Sequence, residues 1–186
     1  MKILAIYGSP RKNGNSAKML DAALSEFPAE AEIRKIFLTD KKFSPCCAER
    51  NCLELGYCDV EDDMQDIYNE LFWAEIIIFA TSSQFGDVTA DLKALMERTW
   101  PIRGKLKNKI GGYVVSARRY AESTINTLHA FMLRHKMILG NSGAIAYTVT
   151  EQGGLENDLL AIKDSHKTGK RLLELYNLIY SKNQYK

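Results

Sequence analysis

Apolar residues in this chain fall into short unbroken runs separated by amphipathic stretches. Residues 3–7 (ILAIY), 76–80 (IIIFA) and 110–116 (IGGYVVS) are apolar throughout and bounded by polar, mostly glycine-containing loops, which predicts strands buried on both faces. Residues 31–38 (AEIRKIFL) mix charge with apolar positions and read as a strand with one wet edge, and residues 143–149 (GAIAYTV) read as the last strand. Between the runs the apolar spacing is helical. Leu20, Ala23, Leu24 and Phe27 share one face, and so do Met64, Ile67, Tyr68, Leu71 and Phe72, where Asp62 and Gln65 fit a capping pair. Leu92, Leu95 and Met96 mark a helix that Pro101 stops, and Ile125, Leu128 and Met132 mark another. Leu159, Ile162, Leu172, Leu173, Tyr176 and Ile179 face inward from a long final helix, with Gly169 as a candidate interruption and a turn at residues 152–154 (QGG) before it. The pair Gly111-Gly112 predicts a bulge or a close backbone approach. Strands alternating with helices specify an α/β, doubly wound parallel sheet with helices on both faces. Ligands of such sheets bind beyond the carboxyl ends of the strands, which brings residues 8–16, 81–88 and 117–123 to one edge.

Composition narrows the classes. A length of 186 residues favours one domain over residues 1–186, and 46% hydrophobic with 26% charged residues is ordinary for a globular protein. A net charge of +2 gives no electrostatic reason to bind nucleic acid or a membrane surface. The first strand starts at the N-terminus without a secretory leader, and no apolar run approaches the ~20 residues of a membrane span, so the expected location is cytoplasmic. All four cysteines lie between Cys46 and Cys58, which in a reducing compartment points to metal or redox chemistry over structural disulfides. His129, His135 and His166 lie in helical stretches and read as surface or packing residues, and no nucleophile-and-base constellation is present.

The loop at residues 8–16 (GSPRKNGNS) lies between the first strand and the first helix. The helix N-terminus offers unpaired N–H groups and a positive dipole end. The hydroxyls of Ser9 and Ser16, the amides of Asn13 and Asn15 and the cation of Arg11 complete a phosphate pocket. It is neither common nucleotide loop: five residues separate Gly8 from Gly14, Asn15 stands where a Walker A lysine belongs, and there is no G-x-G.

GSPRKNGNS, the later ATSSQFGDVTADLKALMER and the cysteine stretch between them together resemble the NADPH-dependent FMN reductase superfamily, most closely its iron–sulfur flavoprotein branch, from Met1 to about Gly154. The resemblance implies a flavodoxin-like, five-stranded parallel sheet of order 2-1-3-4-5, with the FMN phosphate on the first loop. Thr81, Ser82, Ser83, Gln84, Phe85 and Gly86 then correspond to the isoalloxazine loop, with a backbone N–H near Gly86 for the flavin N5. Family members often carry proline at the position of Ser82 and an aromatic residue at that of Gln84. Ser116, Ala117 and Arg118 correspond to the third flavin loop, with Arg118 the candidate cation near N1 and the C2 carbonyl. The branch's C-x2-C-x2-C-x4–7-C motif is met by Cys46, Cys52 and Cys58, while Glu49 holds the second position and Cys47 is additional. A [4Fe–4S] cluster on all four cysteines therefore needs Cys47 as its fourth ligand. The implied activity is that of an FMN-dependent oxidoreductase, in which NAD(P)H reduces FMN and a quinone, free flavin or redox protein takes the electrons. An electron-transfer protein without an NAD(P)H site and a phosphate-ligand binding module remain as alternatives. Family members are commonly homodimers or homotetramers.

Overall fold

The computed structural model describes residues 1–140, 144–147 and 154–180. The strands are β1 (Lys2–Tyr7), β2 (Glu32–Phe37), β3 (Ile76–Ser82), β4 (Ile110–Ala117), β5 (Ile138–Leu139) and β6 (Ala144–Tyr147). The helices are α1 (Asn15–Leu24), the short α2 (Cys52–Leu55), α3 (Met64–Trp73), α4 (Ala90–Arg98), α5 (Glu122–Arg134) and α6 (Leu159–Tyr180). Every pairing between these strands is parallel, in the order β2-β1-β3-β4-β5, and β6 also pairs with β4. The fifth position of the sheet is thus shared. β5 lies against Ile110 and Gly111, and β6 against Val114 to Ala117. The sequence reading missed β5 because its two residues follow α5 without a loop signal. Of the strand expected at 143–149, residues 144–147 are present, while Gly143, Thr148 and Val149, like Gln152 and Gly153 of the expected turn, lie outside the described residues.

Alternation along the strands sends side chains to two cores. Leu4, Ile6, Ile77, Phe79, Tyr113 and Val115 meet α3, α4 and α5 on one face. Ile3, Ala5, Ile76, Ile78, Ile110 and Val114 meet α1 and α6 on the other. The paired glycines serve both faces. A Cβ on Gly111 would stand 2.5 Å from Met132 Sδ, and one on Gly112 would stand 2.6 Å from Leu172 Cδ1, so helices close in on β4 from each side. Gly169 does not interrupt α6. It lets α6 lie on α1, where a Cβ would stand 2.1 Å from the Ala23 carbonyl oxygen. Two residues expected inside are exposed. Phe72 is eight positions after Met64, roughly 80° round the helix from it, and Leu159 is the first residue of α6.

His135, at the end of α5, is buried with its Nε2 3.0 Å from the Thr99 hydroxyl. Burial lowers its pKa from 6.5 to about 4, against a smaller opposing contribution from the Ile102 backbone. The folded state therefore binds this proton more weakly than the unfolded chain. The associated stability is complete above the unfolded value and is lost as pH falls toward about 4. We expect a loss on the order of 2–3 kcal/mol across that window, read as a falling urea midpoint, and a visibly flatter profile in His135→Leu.

Candidate functional site

Three loops and the cysteine segment leave the same edge of the sheet, because each follows the carboxyl end of a parallel strand. Their backbones are stitched together. The Gly8 N–H donates to the Ala80 carbonyl at 2.8 Å, and the Thr89 hydroxyl donates to the Gly8 carbonyl. The Ser83 N–H donates to the Ser116 carbonyl at 2.8 Å. The Ser83 hydroxyl donates to the Tyr120 carbonyl at 3.0 Å and accepts from Thr124 at 2.9 Å. Lys12 pairs with Asp40 at 2.6 Å, tying the first loop to the start of the cysteine segment.

In the first loop Gly14 is the N-cap of α1, in extended conformation, and offers no side-chain acceptor. The first turn carries no acidic residue, so no carboxylate offsets the dipole end that faces the loop. The hydroxyls of Ser9 and Ser16 are buried at this end, Asn15 is half-buried, and Arg11 and Asn13 are exposed on the rim. The Arg11 N–H donates to Ser9 Oγ at 3.3 Å, and the Gly14 N–H to the Arg11 carbonyl at 3.1 Å.

The second loop closes on a two-residue turn. Gln84 and Asp87 exchange N–H to carbonyl bonds of 2.8 and 3.1 Å across Phe85 and Gly86. Both central residues have positive φ, 52° and 82°, as a type I′ turn demands. Glycine takes that conformation freely, whereas for phenylalanine it is strained. The Phe85 ring stands wholly in solvent beside the edge. Thr81 is buried and accepts the Thr89 N–H at 3.3 Å; Ser82 and Ser83 are half-buried, and Gln84 is exposed. At the end of β4, Ser116 is half-buried and Ala117 buried, and Arg118 leaves the sheet into solvent.

The match of the NADPH-dependent FMN reductase family model to residues 1–152 decides the family. The chain belongs to the NADPH-dependent FMN reductases. An iron-sulfur flavoprotein of Methanocaldococcus jannaschii is 36% identical, over 96% of this chain and 99% of the relative. An NAD(P)H dehydrogenase (quinone) of Geotalea daltonii is 25% identical, over 85% of this chain and 77% of the relative. The solved NAD(P)H:quinone oxidoreductase of Methanothermobacter marburgensis superposes with a TM-score of 0.69 at 15% identity, over 97% of this chain and 96% of that one. That likeness places the fold among the flavodoxin-like sheets. Among the described residues no helix is long and apolar enough to cross a membrane.

In this member of the family the cysteine segment is pinned by a residue that the sequence reading missed, Arg98 at the end of α4. Its side chain is buried, and its guanidinium bonds Asp62 at 2.7 and 3.0 Å and the Ser44 carbonyl at 3.0 Å. Those partners bracket the cysteine loop at both ends. Burial disfavours the charge, but the bonds to Asp62 and Cys58 outweigh it and raise the pKa of Arg98. Tyr68 also faces the Cys58 sulfur and donates its hydroxyl proton to the Arg98 carbonyl. A signal was available: Arg98 continues the apolar stripe of Leu92 and Leu95 three residues on, where a charge must find a buried partner. The expected Asp62–Gln65 capping pair is half right. Asp62 Oδ1 accepts the Met64 N–H at 3.0 Å, whereas the Gln65 amide turns to the carbonyls of Cys58 and Val60 at 2.9 and 3.0 Å.

The four cysteines are not gathered as the sequence reading expected. Among the described residues no group of three or more Cys, His, Asp or Glu side chains stands close enough to hold one metal ion. Cys46 and Cys47 are exposed, and Cys52 and Cys58 are half-buried. Cys52 is nevertheless in electrostatic range of two other thiols: burial, then Cys46 and Cys58, push its pKa up. Arg98 Nε is buried without a hydrogen-bond partner, on the guanidinium that faces Cys58. Among the described residues the cysteine side chains as placed therefore do not fit the four-cysteine cluster set.

Proposed function

We propose that the chain is an FMN-dependent oxidoreductase that takes electrons from NAD(P)H and passes them to a quinone, a free flavin or a redox protein. The observation that carries this reading is the joining of three loops at one sheet edge, with an uncapped helix N-terminus between them, in a chain of the FMN reductase family. Bound FMN supplies the two-electron chemistry, and the protein supplies binding, orientation and electrostatics.

The N–H groups at the start of α1 hold the phosphate, together with Ser9, Ser16, Asn13 and Asn15, and Arg11 adds its charge from the rim. Residues 81–86 flank the flavin ring. Phe85 is free to pack on a planar ligand, and the strained turn brings the Gly86 backbone up without a side chain in the way. Arg118 provides the cation toward N1 and the C2 carbonyl, where it favours the anionic reduced form. Protein prepared without oxygen should carry stoichiometric flavin, and NADPH or NADH should bleach it rapidly. Absence of flavin after reconstitution with FMN would sink the reading.

The iron-sulfur flavoprotein name of the Methanocaldococcus jannaschii relative favours a second reading, an electron-transfer protein without an NAD(P)H site. Flavin that dithionite bleaches but neither nicotinamide does would select it. Within the first reading, Arg11→Ala should weaken FMN binding by roughly 1.5–3 kcal/mol, the range for a hydrogen bond to a charged group. Titration of apo-protein with FMN measures this, and unchanged affinity would place the phosphate elsewhere.

A further inference from the structure

We propose that Asp87 is a positioning residue of the flavin site, whose carboxylate clamps the turn at Phe85-Gly86 to α4 and α5 and so fixes the backbone that meets the flavin ring. The inference rests on the FMN reading above. It starts from a turn under strain. Phe85 stands at φ 52° with its ring wholly in solvent, so no packing of that ring offsets the strain. Two backbone bonds close the turn, and they use the N–H groups of Gln84 and Asp87. Among the backbone bonds of the described residues none takes the N–H of Phe85 or Gly86, which leaves those two donors for a ligand.

The Asp87 carboxylate supplies an anchor. One oxygen accepts the Val88 N–H at 2.7 Å, just ahead of α4, and the other accepts Lys93 Nζ at 3.1 Å, near the start of that helix. The Thr127 hydroxyl of α5 also donates to it. Burial works against the charge, but the bonds from Thr127, the Val88 N–H and Lys93 prevail and hold the pKa of Asp87 below the usual carboxylate range. The other foot of the turn is held by the same helix, where the Thr124 hydroxyl donates to Ser83 Oγ at 2.9 Å. Thr124 and Thr127 are three residues apart, hence neighbours on one face of α5. They grip the chain on either side of Gln84, Phe85 and Gly86. Ser83 donates in turn to the Tyr120 carbonyl, so the clamp also joins the second loop to the third.

The clamp has an electronic consequence. The N5 of oxidised flavin accepts a hydrogen bond, whereas in the reduced form it carries a hydrogen. A backbone N–H held toward it therefore favours the oxidised form, and loosening the turn raises the flavin's midpoint potential. Removing a negative charge raises the potential as well. The two effects separate in Asp87→Asn, which keeps an oxygen for Val88 and Thr127 and loses the charge.

The full chain is compared with Asp87→Ala, Asp87→Asn and Thr127→Val by far-ultraviolet circular dichroism, amide hydrogen exchange of the apo-protein, FMN titration and the midpoint potential of the bound flavin. In Asp87→Ala the Gln84 amide is expected to exchange faster, while that of Phe79 in β3 keeps its wild-type rate. FMN affinity should fall about tenfold, the effect of losing one or two hydrogen bonds, and the potential should rise. Asp87→Asn should restore most of each value. Thr127→Val should move all three in the same direction by less, and it carries the comparison should Asp87→Ala not fold. An unchanged Gln84 exchange rate in both Asp87→Ala and Thr127→Val would overturn the clamp. A potential in Asp87→Asn as high as in Asp87→Ala would mean that the charge acts and not the position, and would overturn the assignment. A wild type that binds no FMN would defeat the flavin reading and with it the role of Asp87 toward a flavin, whereas the exchange rates report the clamp by themselves.

Discussion

Arg98→Ala is expected to cost about 3–5 kcal/mol of folding stability, the usual result of removing one partner of a buried ion pair. The Arg98 side chain is 1% exposed and that of Asp62 14%, so the carboxylate left behind has little access to water. The Ser44 carbonyl also loses its donor. A lowered urea midpoint with an unchanged slope would report the loss. Replacing the pair with Arg98→Met and Asp62→Asn should recover part of it, because no net charge then remains buried. The pair also has an acid signature. Burial works against the Asp62 charge, but the bonds from Arg98, the Met64 N–H and the Ser44 N–H prevail and hold its pKa below the usual carboxylate range. The stabilisation is therefore complete above the unfolded value, roughly 4, and is lost as pH falls through the lower folded value. Arg98→Ala should lack this acid-dependent loss. A variant as stable as the wild type would mean that the guanidinium only fills space.

Gly169→Val should be the second large loss, about 3 kcal/mol or more, at or beyond the upper end of the usual cost of overpacking a close contact. The helix-propensity gain from replacing glycine, below about 1 kcal/mol, is too small to offset it. A Cβ here would overlap the Ala23 carbonyl oxygen at 2.1 Å and the Ala23 carbonyl carbon at 2.9 Å. Backbone of a packed helix cannot rotate away as a side chain can, so α1 must shift. Because α1 begins at the first loop, the proposed phosphate site shifts with it. Gly169→Ala should show the same direction with a smaller amplitude. Thermal unfolding and FMN titration of the two variants would check both consequences, and a higher melting temperature in Gly169→Ala would refute the close approach.

Much of the molecule is determined by local sequence. The runs at residues 3–7, 76–80 and 110–116 are apolar on both faces, and only a sheet covered on both sides can bury them. Together with the charged edge strand, they fix a doubly wound sheet, and the sheet fixes where the loops converge. Tertiary structure decided what depends on partners distant in sequence. Gly169 reads as a helix breaker from its neighbours and proves to be a contact point, because the constraint comes from Ala23 on another helix. The stripe of Leu92 and Leu95 places Arg98 inside, but that it staples the cysteine loop depends on Asp62, 36 residues away. That the cysteine side chains form no metal-holding group among the described residues was undecidable from spacing. Sequence order records the distance between residues along the chain, and side-chain direction is set by turns such as those at Ala48, Arg50 and Gly56, which the packed loop imposes.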